Sequence, residues 1–415
     1  MITTLTRMWL TKSFKPFKFT SDYDKKLEYS SLNNLGLYVH IPFCNNICSF
    51  CPYCKEQYEK DKSNLYIDNL IKEIHMVGNQ SIGKKTVTSL YFGGGTPALV
   101  IDRLQEIINA INEHFEITEG IGLELHPENV TIETLTKLKN IGVNKISIGI
   151  QSFQNKFLNI LGRKNVDYSK MFDALASISF ETVSMDFIFA LPHQSFDDLK
   201  YDIDMAFANG ANHIAIYPFI NFNFTKTIIK PMKNSEKRKL LDKITLYCNQ
   251  KGYIRDSIWT FSSTKNAKYS SMTRDNFLGF GCSATTLLKE QFKVNTFDID
   301  AYVNRIEKGE LPTALTSYFT VGQRMVYYLF WTAYSTKVNK KDFQEFFGAD
   351  IDKIYKFEIW LAQKMGFIIT DGLDYKMTLK GAFYYHYYES YYTLSYIDKM
   401  WEILSKNAFP DEIFL

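Results

Sequence analysis

At 415 residues, with 46% hydrophobic and 22% charged side chains, the chain has the composition of a globular protein of more than one domain. A net charge of +3 is too mild to argue for nucleic acid or an anionic membrane as partner, and no run of about 18 apolar residues is present to span a bilayer. Six cysteines and no apolar leader at the N-terminus point to a cytoplasmic protein rather than to a secreted disulfide framework.

Residues 1–35 read as an N-terminal extension, opening on the basic and aromatic "MITTLTRMWLTKSFKPFKF", expected either to clasp the following domain or to stay disordered. From residue 36 short apolar runs alternate with longer amphipathic ones. "GLYVHI", "VTSLYFGG", "GLELH", "KISIGIQ", "ETVSMDFIFA" and "HIAIYPF" have the length and the β-branched or aromatic character of buried strands. The segments between them carry helical periodicity, the last bracketed by Ser195 as N-cap and Gly210 as C-terminal stop. Six strands alternating with helices over residues 36–230 predict an α/β fold, a parallel sheet with right-handed crossovers curved into a barrel or part of one. Chemistry in such a barrel sits at the C-terminal ends of the strands. Residues 231–312 read as a connecting, barrel-closing region with a charged helix, "SEKRKLLDKITLYCNQKGY", and a glycine-rich turn, "DNFLGFGCSATT". Residues 313–415 read as a mainly helical, winged-helix-like cap with one hairpin at "MGFIITDGLDYKMTLKG". Without a basic stripe, that shape does not imply DNA binding.

"HIPFCNNICSFCPYCK" places four of the six cysteines, Cys44, Cys48, Cys51 and Cys54, directly after the first predicted strand. Zinc takes four ligands, usually as two paired knuckles, and no second knuckle exists here because Cys248 and Cys282 are isolated. A cubane iron–sulfur cluster held by only three thiolates would leave one iron open for a small molecule. "GGGTP" (residues 93–97) follows the second strand, Glu124 and His126 end the third, Gln151 ends the fourth, and Asp186 lies in the fifth. Polar and backbone-binding features thus converge on one rim.

The cysteine spacing, with Phe50 just before the third cysteine, and "YFGGGTP" resemble the radical S-adenosylmethionine (SAM) superfamily, whose fold is a partial (β/α)6 TIM-type barrel. "YVHIPFC", "ISIGIQSF", "LGR" and "LGFGCSA" narrow the resemblance to the oxygen-independent coproporphyrinogen III oxidase family and its relatives, over about residues 37–381. That resemblance implies a [4Fe–4S] cluster on Cys44, Cys48 and Cys51, with SAM chelating the open iron and cleaved to a 5′-deoxyadenosyl radical. It implies one SAM molecule, or two as in some relatives, an electron donor such as flavodoxin or ferredoxin, and a tetrapyrrole-like small-molecule substrate. It further implies that Tyr38 lies beside SAM, that Gly94, Gly95 and Thr96 meet its methionine moiety, and that Glu124 faces it. Gln151 and Arg163 would hold its ribose and carboxylate, and Asp186 its ribose. Tyr38 and Glu124 are the candidates for a catalytic role.

Two departures separate this chain from the oxidases themselves. Their fourth cysteine comes two residues after the third ligand, whereas Cys54 comes three after, leaving it as a redox thiol, a fourth ligand or a packed passenger. The N-terminal segment is also shorter than theirs and lacks their Tyr/Pro-containing motif. Hydrogen abstraction with decarboxylation or ring opening, C-methyl transfer, and haem delivery without turnover therefore all stay open. His126 reads as substrate-facing or structural, and His40, His75, His114, His193 and His213 as structural. "FYYHYYESYY" (residues 383–392) offers faces for a flat macrocycle or a partner, or else covers the core with its hydroxyls in water.

Overall fold

Each of the six apolar runs becomes a strand in the computed structural model, which describes residues 2–23, 25–225, 227–264 and 276–415. Part of the predicted connecting region, residues 265–275, lies outside the described residues. The strands are β1 (Leu35–Ile41), β2 (Leu90–Gly94), β3 (Ile121–Leu125), β4 (Val143–Gln151), β5 (Thr182–Phe189) and β6 (His213–Pro218). They lie side by side in chain order, each parallel to the next. The strand β1 is buried on both faces: Leu35, Leu37, Val39 and Ile41 on one side are all within 1% of full burial, and on the other side Gly36 and His40 are buried too. The crossovers contain α1 (Lys60–Gly78), α2 (Ile101–His114), α3 (Ile132–Asn140), α4 (Ser169–Ser177) and α5 (Phe196–Ala208). At the start of α5 the Ser195 hydroxyl accepts from the Asp198 N–H while the Asp198 carboxylate accepts from the Ser195 N–H. Beyond its end Gly210 turns the chain at φ +98°. The result is the α/β architecture of a partial barrel with a largely helical C-terminal region.

"DNFLGFGCSATT" is corrected by the structure. Its centre is not a turn but β7 (Asn276–Phe280), fully buried and parallel to β1 on the side away from β2. Gly279 is small because the next strand crosses it closely: a Cβ there would stand 2.2 Å from the Thr285 carbonyl oxygen. The turn itself is confined to the residues around Gly281, at φ +95°. Antiparallel strands Thr285–Leu288, Gln291–Asn295 and Thr313–Tyr318 extend the sheet, followed by Lys18–Thr20 and Glu412–Phe414. Beyond β6 two short antiparallel strands, Thr260–Ser262 and Ile254–Arg255, finish the other edge of this 14-stranded sheet.

The N-terminal extension is a clasp: helix Ile2–Thr11 packs against helices Val321–Tyr334 and Leu379–Tyr392, and Lys18–Thr20 joins the sheet. Behind these, strands Lys337–Asn339, Ile368–Asp371 and Asp374–Met377 form a separate small sheet that contains the predicted hairpin. Met325, Tyr328, Phe343, Ile351, Tyr355 and Tyr375 make its core. No helix among the described residues is long and apolar enough to cross a membrane.

Candidate active site

The cysteine loop leaves β1 at Ile41 and is drawn back on itself where Phe43–Cys44 pair with Glu56–Gln57. Cys44, Cys48 and Cys51 are free, partly exposed thiols on the wall of one large cavity. Burial pushes the Cys44 thiol up to about 11, opposed by the Thr96 hydroxyl 3.9 Å from its Sγ. Burial also raises Cys51, opposed chiefly by the Lys55 ammonium, which donates to the Cys51 carbonyl. Cys54 does not line this cavity. Its Sγ lies 3.6 Å from the Cys282 Sγ and 3.1 Å from the Phe297 carbonyl oxygen, so its partner is the turn after β7 rather than the trio.

The glycine loop is built against the root of the cysteine loop. The Gly95 N–H donates to the Ile41 carbonyl at 2.8 Å and the Thr96 N–H to the Phe43 carbonyl at 2.7 Å. A Cβ on Gly94, at φ +114°, would meet the His40 ring at 2.6 Å, and one on Gly95 would meet the Phe43 carbonyl oxygen at 2.5 Å. Both glycines are therefore required by contacts inside the protein. The two loops are physically one unit.

On the rim the Gly94 N–H donates to Glu124 Oε2 at 3.1 Å. Burial, then the neighbouring Asp186, push the Glu124 carboxyl up to about 7 against that hydrogen bond. Asp186 is held by hydroxyls that sequence reading did not single out, Ser147 at 2.7 Å and Ser184 at 3.1 Å. Tyr38 bonds to His40 Nδ1 at 3.1 Å, and burial followed by Glu124 raises its phenol. Gln151, at φ +68°, and Arg163 approach the same point: a Cβ on Gly149 would meet Gln151 Nε2 at 3.1 Å and Arg163 Nη2 at 3.8 Å. Arg163 Nη1 donates to the Gly149 carbonyl, while its Nε is buried without a hydrogen-bond partner. His126 also lines the cavity; burial and Arg163 lower it to about 4, so it is a neutral ring.

All the candidate residues, Tyr38, Cys44, Cys48, Cys51, Gly94, Gly95, Thr96, Glu124, Gln151, Arg163 and Asp186, line this single cavity of about 1430 Å³. The C-terminal region contributes further lining, including Trp331, Tyr334, Tyr385, Glu389, Tyr392 and Trp401. "FYYHYYESYY" divides by helical period: Tyr385, Glu389 and Tyr392 face the cavity, whereas Tyr387 and Tyr391 form an exposed hydroxyl pair at 3.0 Å. No local sequence signal marks these wall residues, because they meet the cysteine loop only through the fold.

A parallel sheet that carries three closely spaced thiols after its first strand and a glycine loop after its second is the arrangement that the radical SAM resemblance calls for. Residues 38–206 match the family described as the Radical SAM superfamily. The haem chaperone HemW of Bacillus subtilis is 25% identical over 337 residues, covering 77% of this chain and 88% of the relative. The oxygen-independent coproporphyrinogen III oxidase of a Synechocystis species is 24% identical over 333 residues, covering 73% and 70%. Among solved structures, coproporphyrinogen III oxidase from Escherichia coli, described as a radical SAM enzyme, superposes with a TM-score of 0.76. The match covers 92% of this chain and 98% of that one at 19% identity, a likeness of fold. A radical SAM domain takes a [4Fe–4S] cluster on cysteines together with SAM. The donor set fits: three thiols stand on the cavity that also holds the Gly94–Glu124 contact and an unpartnered guanidinium donor.

Proposed function

We propose that this protein is a radical SAM enzyme that abstracts a hydrogen atom from a flat, tetrapyrrole-sized substrate. The observation that carries the reading is the shared cavity, lined by the cysteine trio, the polar rim and the aromatic rings of the C-terminal region. Cys44, Cys48 and Cys51 would hold the cluster, and Tyr38, Gly94, Gly95, Thr96, Glu124, Gln151, Arg163 and Asp186 would surround SAM. Together the two groups supply one-electron cleavage of a sulfonium and the radical that follows. Arg163, with one arm fixed on the Gly149 carbonyl, keeps donors for a carboxylate. Glu124, close to half-protonated near neutrality, can accept from an ammonium or hydroxyl group or hold a proton. Tyr38, pinned by His40, lines the same cavity. An electron donor of the flavodoxin or ferredoxin kind and a cytoplasmic location complete the proposal.

Similarity to a haem chaperone along most of the chain favours a second reading, haem delivery without turnover. C-methyl transfer with two SAM molecules is the sibling of the enzymatic reading. Anaerobic reconstitution followed by dithionite reduction separates them. We expect about four irons per chain and 5′-deoxyadenosine without S-adenosylhomocysteine. Cys54→Ala should keep both, and the triple alanine variant of Cys44, Cys48 and Cys51 should lose both. S-adenosylhomocysteine as co-product would select methyl transfer, and tight haem binding with neither product would select the chaperone.

A further inference from the structure

The part of the cavity lining that comes from residues beyond 250 has a charge pattern that cluster and SAM do not explain. Among the described residues its cations are already engaged: Arg255 donates to the Ser257 and Ile258 carbonyls at 3.1 and 2.7 Å, and Lys337 stands 4.0 Å from Asp374. Its carboxyl groups are engaged only in part, Glu389 lying near enough to the Lys237 ammonium to feel it and Asp256 meeting the Ser262 hydroxyl. Glu389 Oε1 accepts from the Thr393 hydroxyl at 2.8 Å, but Oε2 is buried with no hydrogen-bond partner. Asp256 Oδ2 is likewise without one, and His213 Nε2, 4.0 Å away, belongs to a ring that burial keeps neutral. An unpaired buried carboxyl oxygen costs free energy unless a donor reaches it. A tetracarboxylate laid against this wall would meet like charge instead of the guanidinium forks that suit carboxylates. The remaining surface is aromatic: Trp259, Trp331, Tyr334, Tyr385, Tyr392 and Trp401. Such faces stack on a flat ring and favour cations over anions.

We propose that the substrate is a flat aromatic molecule without free carboxylates that presents an N–H or ammonium donor to Glu389, and that this wall rejects free-propionate tetrapyrroles by charge. The proposal rests on the reading of this cavity as the substrate site. Glu389 and Asp256 then set specificity, Glu389 from the helix Leu379–Tyr392 and Asp256 from the loop that precedes strand Thr260–Ser262. Tyr334 feels both Glu389 and Asp186, which places the wall next to the SAM rim.

The test titrates cluster-loaded protein, with SAM bound and no reductant, at pH 8. The two ligands are coproporphyrin III and its tetramethyl ester, which share a ring and differ in four charges. Quenching of tryptophan fluorescence reports binding. The ester should bind at least ten-fold more tightly than the acid. Glu389→Gln should narrow that ratio three-fold or more by improving binding of the acid. Asp256→Asn should act in the same direction, and it serves if the first variant does not fold. Equal or tighter binding of the acid, no binding of the ester, or a ratio unchanged in both variants overturns the proposal. Iron content and SAM cleavage on the same preparation report separately on the radical SAM reading. Their loss alongside an intact ester preference would sink that reading and leave the wall's selectivity standing.

Discussion

At Gly95 an added Cβ would press on the carbonyl oxygen of Phe43, one residue before Cys44. That obstruction is backbone, so no rotamer change relieves it and the root of the cysteine loop must move. Gly95→Val is therefore expected to lose bound iron, to less than half the wild-type content after reconstitution, together with SAM cleavage. Full iron with lost cleavage would instead assign Gly95 to SAM alone. The spacing of Cys44, Cys48 and Cys51, and the placing of the glycines one strand later, were readable because each lies within a few residues of a strand end. What presses on Gly95 was not, since 51 positions separate Cys44 from Gly95 (95 minus 44) and only the parallel pairing of β1 and β2 brings them together. Cys54 teaches the same lesson: its neighbour Cys282 lies 228 positions away.

Among the elements, α1 and the turn after β7 meet at a buried carboxyl. Glu73 accepts from the Gly281 N–H at 2.7 Å, the Tyr302 hydroxyl at 2.6 Å and Asn295 Nδ2 at 3.2 Å, yet burial pushes it up from 4.5 to about 7. A carboxyl with its native pKa above the unfolded value keeps a proton that the unfolded chain gives up. Its contribution is whole below about pH 4.5 and is lost as pH rises to 7. The loss is on the order of 3 kcal/mol at the linkage rate of about 1.4 kcal/mol per unit. Glu73→Gln should be flatter than wild type over that window in urea unfolding at stepped pH, and parallel curves would show that the carboxylate is already ionised in the native state. β1 to β6 were legible as unbroken apolar runs bounded by helical periodicity. β7 was not, because Gly279 and Gly281 look like turn residues until Thr285 is seen to occupy the space where a side chain at 279 would stand.

The whole molecule is closed by the two ends of the described chain. Lys18–Thr20 pairs antiparallel with Glu412–Phe414, burying Phe19 and Ile413 with Val294, Leu315, Met400 and Leu404. Phe17, Phe19 and Leu415 also line the cavity, so this strand pair forms part of the cavity wall and is not only a stabilising clasp. A second link runs from the neighbouring helix Asp398–Lys406, where Trp401 stacks on Phe222 with rings 9° apart and lies 5.7 Å from Tyr53, just after Cys51. Sequence periodicity indicated helices here but carried no sign that residues beyond 400 reach the cysteine loop. Ile413→Ala should cost about 2–4 kcal/mol, the range for a large aliphatic side chain removed from a core, read as a lower urea midpoint. Removing residues 411–415 should go further, leaving iron content near wild type, because the cysteine and glycine loops are braced by β1 and β2. Affinity for a flat porphyrin ester should then fall several-fold, since Leu415 is gone and Phe17 and Phe19 lose their partner strand. If the truncated protein binds the ester as tightly as the full chain, the enclosure is made by the helices alone. Loss of iron along with the ester would mean that the clasp holds the cysteine loop itself, through Trp401 and Tyr53.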